Sequence, residues 1–401
     1  MEKTFLQRLQ KVKIKDLLSI IYFILAIIPS FILKLINPHI WIVSDCEYEA
    51  RDNGFYFFKY LREKIPNQNV YFAINKKSYD YKKVQSLGKV VNYGSLLHWI
   101  LYLSCEYNIS SQKACKPNAA IGYVLEKCNL IKHKIIFLQH GIIKDNLPYI
   151  HYENAKFKMF TTSVKKEYEY VKENFGYKNE EVKQLGLCRF DDLIDTSKGD
   201  IVLVMPTWRQ WISNSDFKTK NIENFSNFTE TEYFKKWSQF LNNEELYNIL
   251  KKYNKKIIFY PHRHMQQYID NFKYLENDRI IIATFPEYDV HELLKQSSVL
   301  ITDYSSVAMD FAYLNKPIAY YQFDYQKFRK NHLELGYFSY QDDAFGPLFT
   351  NEMDIIKYIE KLINSNYIMD KKYQDRINSF FDLRDKNNCK RTYIELKSLK
   401  K

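Results

Sequence analysis

Val299-Leu300-Ile301-Thr302-Asp303-Tyr304-Ser305-Ser306-Val307-Ala308-Met309-Asp310-Phe311-Ala312-Tyr313-Leu314 passes through an apolar run, a polar cluster and a helical pattern without a break. Val299, Leu300 and Ile301 have the composition of a buried strand. Thr302, Asp303, Ser305 and Ser306 form a polar turn, and Val307, Met309, Phe311, Ala312 and Leu314 then supply the apolar members of a helix. Serine at a helix start accepts hydrogen bonds from the unpaired N–H groups of the first turn. Those N–H groups and the helix dipole also attract anions. Ligands of open α/β sheets gather at the carboxyl ends of strands. The stretch therefore reads as a cradle for a phosphate, such as the diphosphate of a nucleotide-activated donor. An ordinary capped helix after a strand carries the same pattern.

Outward from this turn, short apolar runs alternate with helical patterns. The runs in the first half are residues 40–43, 70–74, 89–91, 135–138, 158–161 and 184–187; those in the second are 201–205, 256–260, 279–283, 299–302 and 317–321. Helical patterns include 55–64, 164–174, 233–253, 287–296 and 306–314, with 353–364 and 370–399 after the last run. Strands alternating with helices imply parallel sheets, hence an α/β class. The polar stretch 191–200 is a linker between two such units, and 213–231 looks like a surface insertion. The expected division is 1–37, a basic and apolar leader; 38–195, a first Rossmann-like domain; 196–368, a second; and 369–401, a terminal helix that crosses back to the first.

With 401 residues the chain is long enough for about two domains. Hydrophobic residues are 46% and charged residues 26%, which excludes a disordered chain. The net charge of +12 suits an anionic substrate, an anionic membrane surface or nucleic acid. The positive charge is scattered along helical faces, and no finger, basic zipper or RNA-binding signature is present, so a nucleic-acid partner is not expected. Cys46, Cys105, Cys115, Cys128, Cys188 and Cys389 make no C-x-x-C pair and match no zinc spacing. Reduced, mostly buried thiols fit a cytosolic compartment.

Residues 17–33, LLSIIYFILAIIPSFIL, are uncharged and follow Lys3, Arg8, Lys11, Lys13 and Lys15. A full crossing needs about 20 apolar residues, and this segment is shorter and contains Pro29. Insertion into one leaflet of the cytoplasmic face, with the cations on anionic headgroups, fits better. A buried helix of the first domain fits the same composition.

Polar clusters follow four of the apolar runs: Gln139-His140-Gly141 with Lys144, Thr207-Trp208-Arg209, His262-Arg263-His264, and Asp303 to Ser306. Strand ends share one side of a parallel sheet, so the clusters form a composite signal. His140 has the chemistry of a general base near neutral pH. Arg263 with His262, and Arg209, offer donors matched to phosphate oxygens. Asp303 could hold a histidine, a ribose hydroxyl or a metal ion. Neither a G-x-x-x-x-G-K-[ST] loop nor a G-x-G-x-x-G fingerprint occurs.

With these residues in view, the chain resembles the CDP-glycerol glycerophosphotransferases, the family of teichoic acid primases and polymerases. The matching motifs are Ala50-Arg51-Asp52-Asn53-Gly54, Gln139-His140-Gly141 with Lys144, Pro206-Thr207-Trp208-Arg209, Pro261-His262-Arg263, and Ile301 to Ser306 through Asp310-Phe311. The resemblance implies a GT-B fold, two Rossmann-like domains facing across a cleft, with the second holding CDP-glycerol or a related CDP-polyol. It implies His140 and His262 as catalytic-site histidines, with His140 the base that activates an acceptor hydroxyl. His262, Arg263, Ser305 and Ser306 would hold the diphosphate, with Asp303 and Arg209 nearby. Gly141, Lys144 and Asn53 would serve the acceptor side or support it. No cofactor is required, though a divalent metal is compatible. The acceptor would be a glycan or lipid-linked hydroxyl, and CMP would leave. The family's proline soon after the second histidine is replaced by His264-Met265. Two alternatives share parts of this pattern: a GT-B glycosyltransferase using a nucleotide sugar, and a non-enzymatic membrane-surface protein.

Overall fold

The computed structural model describes residues 14–113, 115–212, 227–331 and 334–399. Its frame is two sheets. The first contains β1 (Trp41–Ser44), β2 (Val70–Ile74), β3 (Val90–Asn92), β4 (Tyr107–Ser110), β5 (Lys134–Phe137), β6 (Met159–Thr162) and β7 (Val182–Gln184), in the order β3-β2-β1-β4-β5-β6-β7. The second contains β8 (Ile201–Val204), β9 (Lys256–Phe259), β10 (Ile280–Ile282), β11 (Val299–Thr302), β12 (Ile318–Tyr321) and β13 (Leu348–Phe349), in the order β10-β9-β8-β11-β12-β13. Every pairing between these strands is parallel. Both orders reverse direction after the first strand, so each sheet has a crevice beside that strand's carboxyl end. The crevices lie between β1 and β4 and between β8 and β11.

Helices cover both faces of such sheets, which is why β1, β11 and β12 are buried at every position and read as apolar or aromatic runs, closed by Ser44 in β1 and Thr302 in β11. The central strand β4 escapes that criterion. Its sequence is Tyr-Asn-Ile-Ser, yet every residue is buried. Asn108 is satisfied by exchanging hydrogen bonds with the backbone of Cys115, at 3.0 and 3.2 Å. The strand expected at 184–187 lies instead at Val182–Gln184. The helical pattern 233–253 divides into Glu232–Leu241 and Glu244–Lys252, because Asn243 turns its side chain onto the backbone N–H groups of Glu245 and Leu246. The pattern 370–399 likewise divides into Lys371–Phe380 and Asn388–Ser398. Most of the stretch 213–231 lies outside the described residues.

The Asn388–Ser398 helix packs on the first sheet. Tyr107 Oη donates to the Leu396 carbonyl at 3.0 Å, Trp41 meets the Tyr393 ring at 6.0 Å, and Asp191 accepts from the N–H groups of Asn388 and Cys389. At the other end of the chain, the Ile14–Ile36 helix lies along the Leu96–Ser104 helix. Trp99 Nε1 donates to Ser19 Oγ at 3.1 Å, Phe23 meets Trp99 edge-on, and Asn118 donates to Asp16. Ser19, Ala26 and Ser30 form its buried seam, while Leu17, Leu18, Ile21, Ile24, Leu25, Ile28, Phe31 and Leu35 face outward. By length and composition the segment Asp16–Ile36 is apolar enough to cross a membrane.

Candidate active site

The loop after β5 is fastened from both sides before it presents His140. Gln139 adopts a left-handed φ of 64°, an unfavourable conformation for a residue with a β-carbon, and is fully buried. Its side chain donates to the Thr161 carbonyl and to Glu167. Glu167 also accepts from the backbone N–H groups of Ile143 and Ser163, each at 2.6 Å. On the other side, Asn53 Nδ2 donates to the Gln139 carbonyl at 2.9 Å. Asn53 opens the Asn53–Lys64 helix, whose start is bound by the Asp45 carboxylate through Asp52 N, Gly54 N and Phe55 N. Gly54 is needed there: a β-carbon would lie 2.5 Å from the Ser44 carbonyl oxygen.

His140 itself stands at the cleft surface. Its pKa is nevertheless lowered, chiefly by desolvation; Asp52 and Asp310 pull it up, and Arg189 pushes it down. The imidazole is therefore neutral, and able to accept a proton, near pH 7.

The second domain supplies the opposite wall. Beyond β9, His262 Nδ1 accepts from the His264 backbone N–H at 3.3 Å. Burial, with the neighbouring His264, His140 and Arg263, pushes the His262 imidazole down to about 3. The Arg263 guanidinium lies over the Phe285 ring at 3.6 Å and reaches Glu49 of the first domain at 3.4 Å, with half of its side chain exposed. Beyond β11, Ser305 Oγ accepts from the Val307 N–H at 3.3 Å, as a helix start invites. Ser306 does not cap the Val307–Tyr313 helix with its side chain; its backbone is already helical. Its hydroxyl instead faces the first domain, 3.5 Å from where a β-carbon on Gly141 would sit.

Two cavities of about 280 and 440 Å³ occupy the cleft. The smaller runs from Asp45, Glu49 and Arg51 to Met205, Tyr260, Arg263 and Phe285. The larger runs from Lys144, Leu147 and Tyr149 to Thr207, Trp208 and His264. Both are lined by Gln112, His140, His262, Ser305 and Ser306. The cavities are thus two lobes with a common rim, and the rim carries the histidines and serines singled out by the strand-end pattern.

A family model for CDP-glycerol:poly(glycerophosphate) glycerophosphotransferase matches residues 28–396. The chain belongs to this family. It is 34% identical over 358 residues to the minor teichoic acid biosynthesis protein GgaB of Bacillus subtilis, a match that covers 88% of this chain and 39% of GgaB. It is 28% identical over 171 residues to the teichoic acid glycerol-phosphate primase of B. subtilis, covering 40% of this chain and 38% of the primase. The matches thus span about two fifths of these relatives. Among solved structures, a variant of the wall teichoic acid polymerase TagF superposes with a TM-score of 0.64 at 16% identity, over 97% of this chain and 100% of that one. S. aureus MnaA with UDP superposes with a TM-score of 0.51 at 12% identity, over 90% of this chain and 96% of that one. These likenesses are of fold.

Within this glycerophosphotransferase framework, His140, His262, Arg263, Ser305 and Ser306 come together, and Gly141 and Lys144 line the larger lobe. Lys144 is buried against Asp145, which Arg329 also holds at 2.7 Å. Asn53 is fully buried and acts on the His140 loop from behind. Arg209 and Asp303 do not reach the cleft, contrary to expectation. Both are fully buried and paired at 2.8 Å. Arg209 also forks onto Asp324 at 2.7 and 3.0 Å and sits among Tyr233, Tyr304, Phe323 and Phe328. Asp303 accepts from the backbone N–H groups of Thr207 and Tyr304. The pair welds the strand-end loops of β8 and β11 together behind the site, and neither residue lines either cavity of the cleft. Arg189, Glu49 and Gln112 also line the cleft, and no spacing in the sequence connects them to the strand-end clusters; Asp52, quoted above only as part of the Ala50–Gly54 motif, joins them.

Proposed function

We propose that this family member transfers glycerol phosphate, or a related polyol phosphate, from CDP-glycerol to a hydroxyl of a cell-surface glycan or lipid-linked acceptor, with release of CMP. The common rim of the two lobes carries this reading. A group transfer needs two bound molecules and one place where they meet. The donor takes the smaller lobe, along the ends of β8 to β10, with its diphosphate toward Ser305, Ser306, His262 and Arg263. The acceptor takes the larger lobe, with its hydroxyl toward His140. The acceptor oxygen bonds to the β-phosphorus, the bond from that phosphorus to the CMP oxygen breaks, and the hydroxyl proton passes to the neutral His140. Phosphoryl-type transfer depends mainly on positioning and charge stabilisation. A guanidinium and hydroxyl donors at a helix start supply both.

The test is CMP release from CDP-glycerol by the purified chain, across a panel of glycan and lipid-linked acceptors. His140→Ala should lower kcat by about 10²- to 10⁴-fold with an unchanged Tm. Turnover of a UDP-sugar without turnover of CDP-glycerol would replace this reading by a nucleotide-sugar glycosyltransferase.

We place the reaction at the cytoplasmic face of the membrane. The Ile14–Ile36 helix is bonded lengthwise to the first domain, and its outward flank is apolar. That geometry supports insertion parallel to the bilayer, within one leaflet. Lys3, Arg8, Lys11, Lys13 and Lys15 precede the apolar flank and suit anionic headgroups. Ile24→Asp with Ile28→Asp should abolish sedimentation with anionic vesicles while turnover of a soluble acceptor persists. Undiminished vesicle binding would sink this placement.

A further inference from the structure

Several ion pairs join the two halves of the molecule, Arg51 with Asp289 and Arg263 with Glu49 among them, and one of the most buried lies at the floor of the cleft. Arg189 sits in the Cys188–Asp191 turn after β7, in the first domain. Asp310 sits in the Val307–Tyr313 helix of the second, about one turn beyond Ser306. Arg189 Nε donates to Asp310 Oδ2 at 2.7 Å and Nη2 donates to Oδ1 at 2.9 Å, a two-pronged contact with both side chains 8% exposed. The third prong, Nη1, donates to Asp52 at 2.8 Å. The Arg189 backbone N–H donates to Asn53 Oδ1 at 2.9 Å, and Asn53 donates in turn to the Gln139 carbonyl. A continuous hydrogen-bond chain therefore joins the helix that begins at the serine turn to the loop that carries His140. Gly141 lies at the end of that chain: a β-carbon there would be 3.5 Å from Ser306 Oγ and 3.9 Å from Arg189 Nη2.

We propose that Arg189 is a positioning residue, whose forked pairing with Asp310 fixes the inter-domain register that brings His140 to Ser305 and Ser306, and whose charge offsets the two carboxylates beside the His140 ring. The role builds on His140 as the base of the transfer proposed above. A fork with two parallel bonds tolerates neither a slide nor a rotation of one domain past the other, a constraint that lysine cannot impose. The charged groups nearest His140 in this network are Asp52, Asp310 and Arg189, with His262 facing from the second domain. Asp45, Asp289 and Arg263 line the smaller lobe, and Lys144, Asp145 and His264 the larger. Two carboxylates and one guanidinium leave one net negative charge beside His140. That charge favours the imidazolium formed as the acceptor proton arrives.

The test pairs a substrate-free readout with turnover. In ¹³C-histidine NMR, with the His140 line assigned by its loss in His140→Gln, Arg189→Met should raise the His140 midpoint by roughly one pH unit. Asp310→Asn should lower it. Arg189→Lys keeps the charge and loses the fork, so its midpoint should stay while kcat falls roughly 100-fold, the effect of an ångström-scale misplacement. The exchanged pair Arg189→Asp with Asp310→Arg should recover at least about tenfold over Arg189→Asp alone. Midpoints that stay put, or move together, in Arg189→Met and Asp310→Asn overturn the charge role. Wild-type kcat in Arg189→Lys, or no recovery in the exchanged pair, overturns the register role. A wild-type chain without CDP-glycerol turnover defeats the functional reading, while the titrations still decide the charge role.

Discussion

Arg209 and Arg263 each follow a proline at a strand end of the same sheet, and the sequence offers Arg263 as a diphosphate ligand with Arg209 near it. Their surroundings differ completely. Arg209 is fully buried with Asp303 and Asp324 as partners and four aromatic rings around it. Arg263 lies half-exposed on one ring, with a single carboxylate at 3.4 Å. A guanidinium binds a ligand only where the fold has not already committed its donors. The deciding carboxylate, Asp324, lies beyond β12, far along the chain from Arg209.

Breaking each arginine in turn tests that contrast. The largest effect should come from Arg209→Met, which strands two buried carboxylates. Urea unfolding should show a loss of about 3–5 kcal/mol. A loss below about 1 kcal/mol would mean that Arg209 is not the weld between the β8 and β11 loops. Arg263→Ala should instead leave stability within about 0.5 kcal/mol. Its KM for CDP-glycerol should rise by roughly ten- to a hundredfold, the worth of a hydrogen bond to a charged group. An unchanged KM would mean that Arg263 does not hold the donor.

The histidines sharpen the contrast with a smaller effect. His98 and His133 are buried in the first domain, and desolvation pushes each down to about 3. His262, in the cleft, reaches about the same value, so a low pKa does not by itself mark function. For His98 and His133 the sign is fixed. Below about pH 6.5 the unfolded chain takes up protons that the folded chain refuses until about pH 3. Their contribution to stability is complete above pH 6.5 and is lost as the pH falls toward 3, at about 1.4 kcal/mol per pH unit for each. Urea midpoints at pH 7 and pH 5 should show that decline, and His133→Gln should flatten it by one histidine's share. An unaltered slope in the variant would mean that His133 is protonated in the fold.

These contrasts explain what could be read from the chain. Buried parallel strands announce themselves when both faces are apolar, as at Val299–Thr302 and Ile318–Tyr321. The Tyr107–Ser110 strand does not, because Asn108 is satisfied by the backbone of Cys115, a partner outside the strand that composition does not reveal. His140, His262, Ser305 and Ser306 were legible because strand ends share one side of a sheet. Arg189 was not, since its meaning lies in an aspartate of the other domain. Local pattern reports which elements exist; only their docking reports which side chains answer one another.

The common rim of the two lobes has a further consequence, for the order of events. Where donor and acceptor take the two lobes as proposed, each guest forms a wall of the other's chamber, and direct transfer proceeds with both bound in a ternary complex. Its rate then comes from joint residence, which substitutes for a high concentration of free reactants.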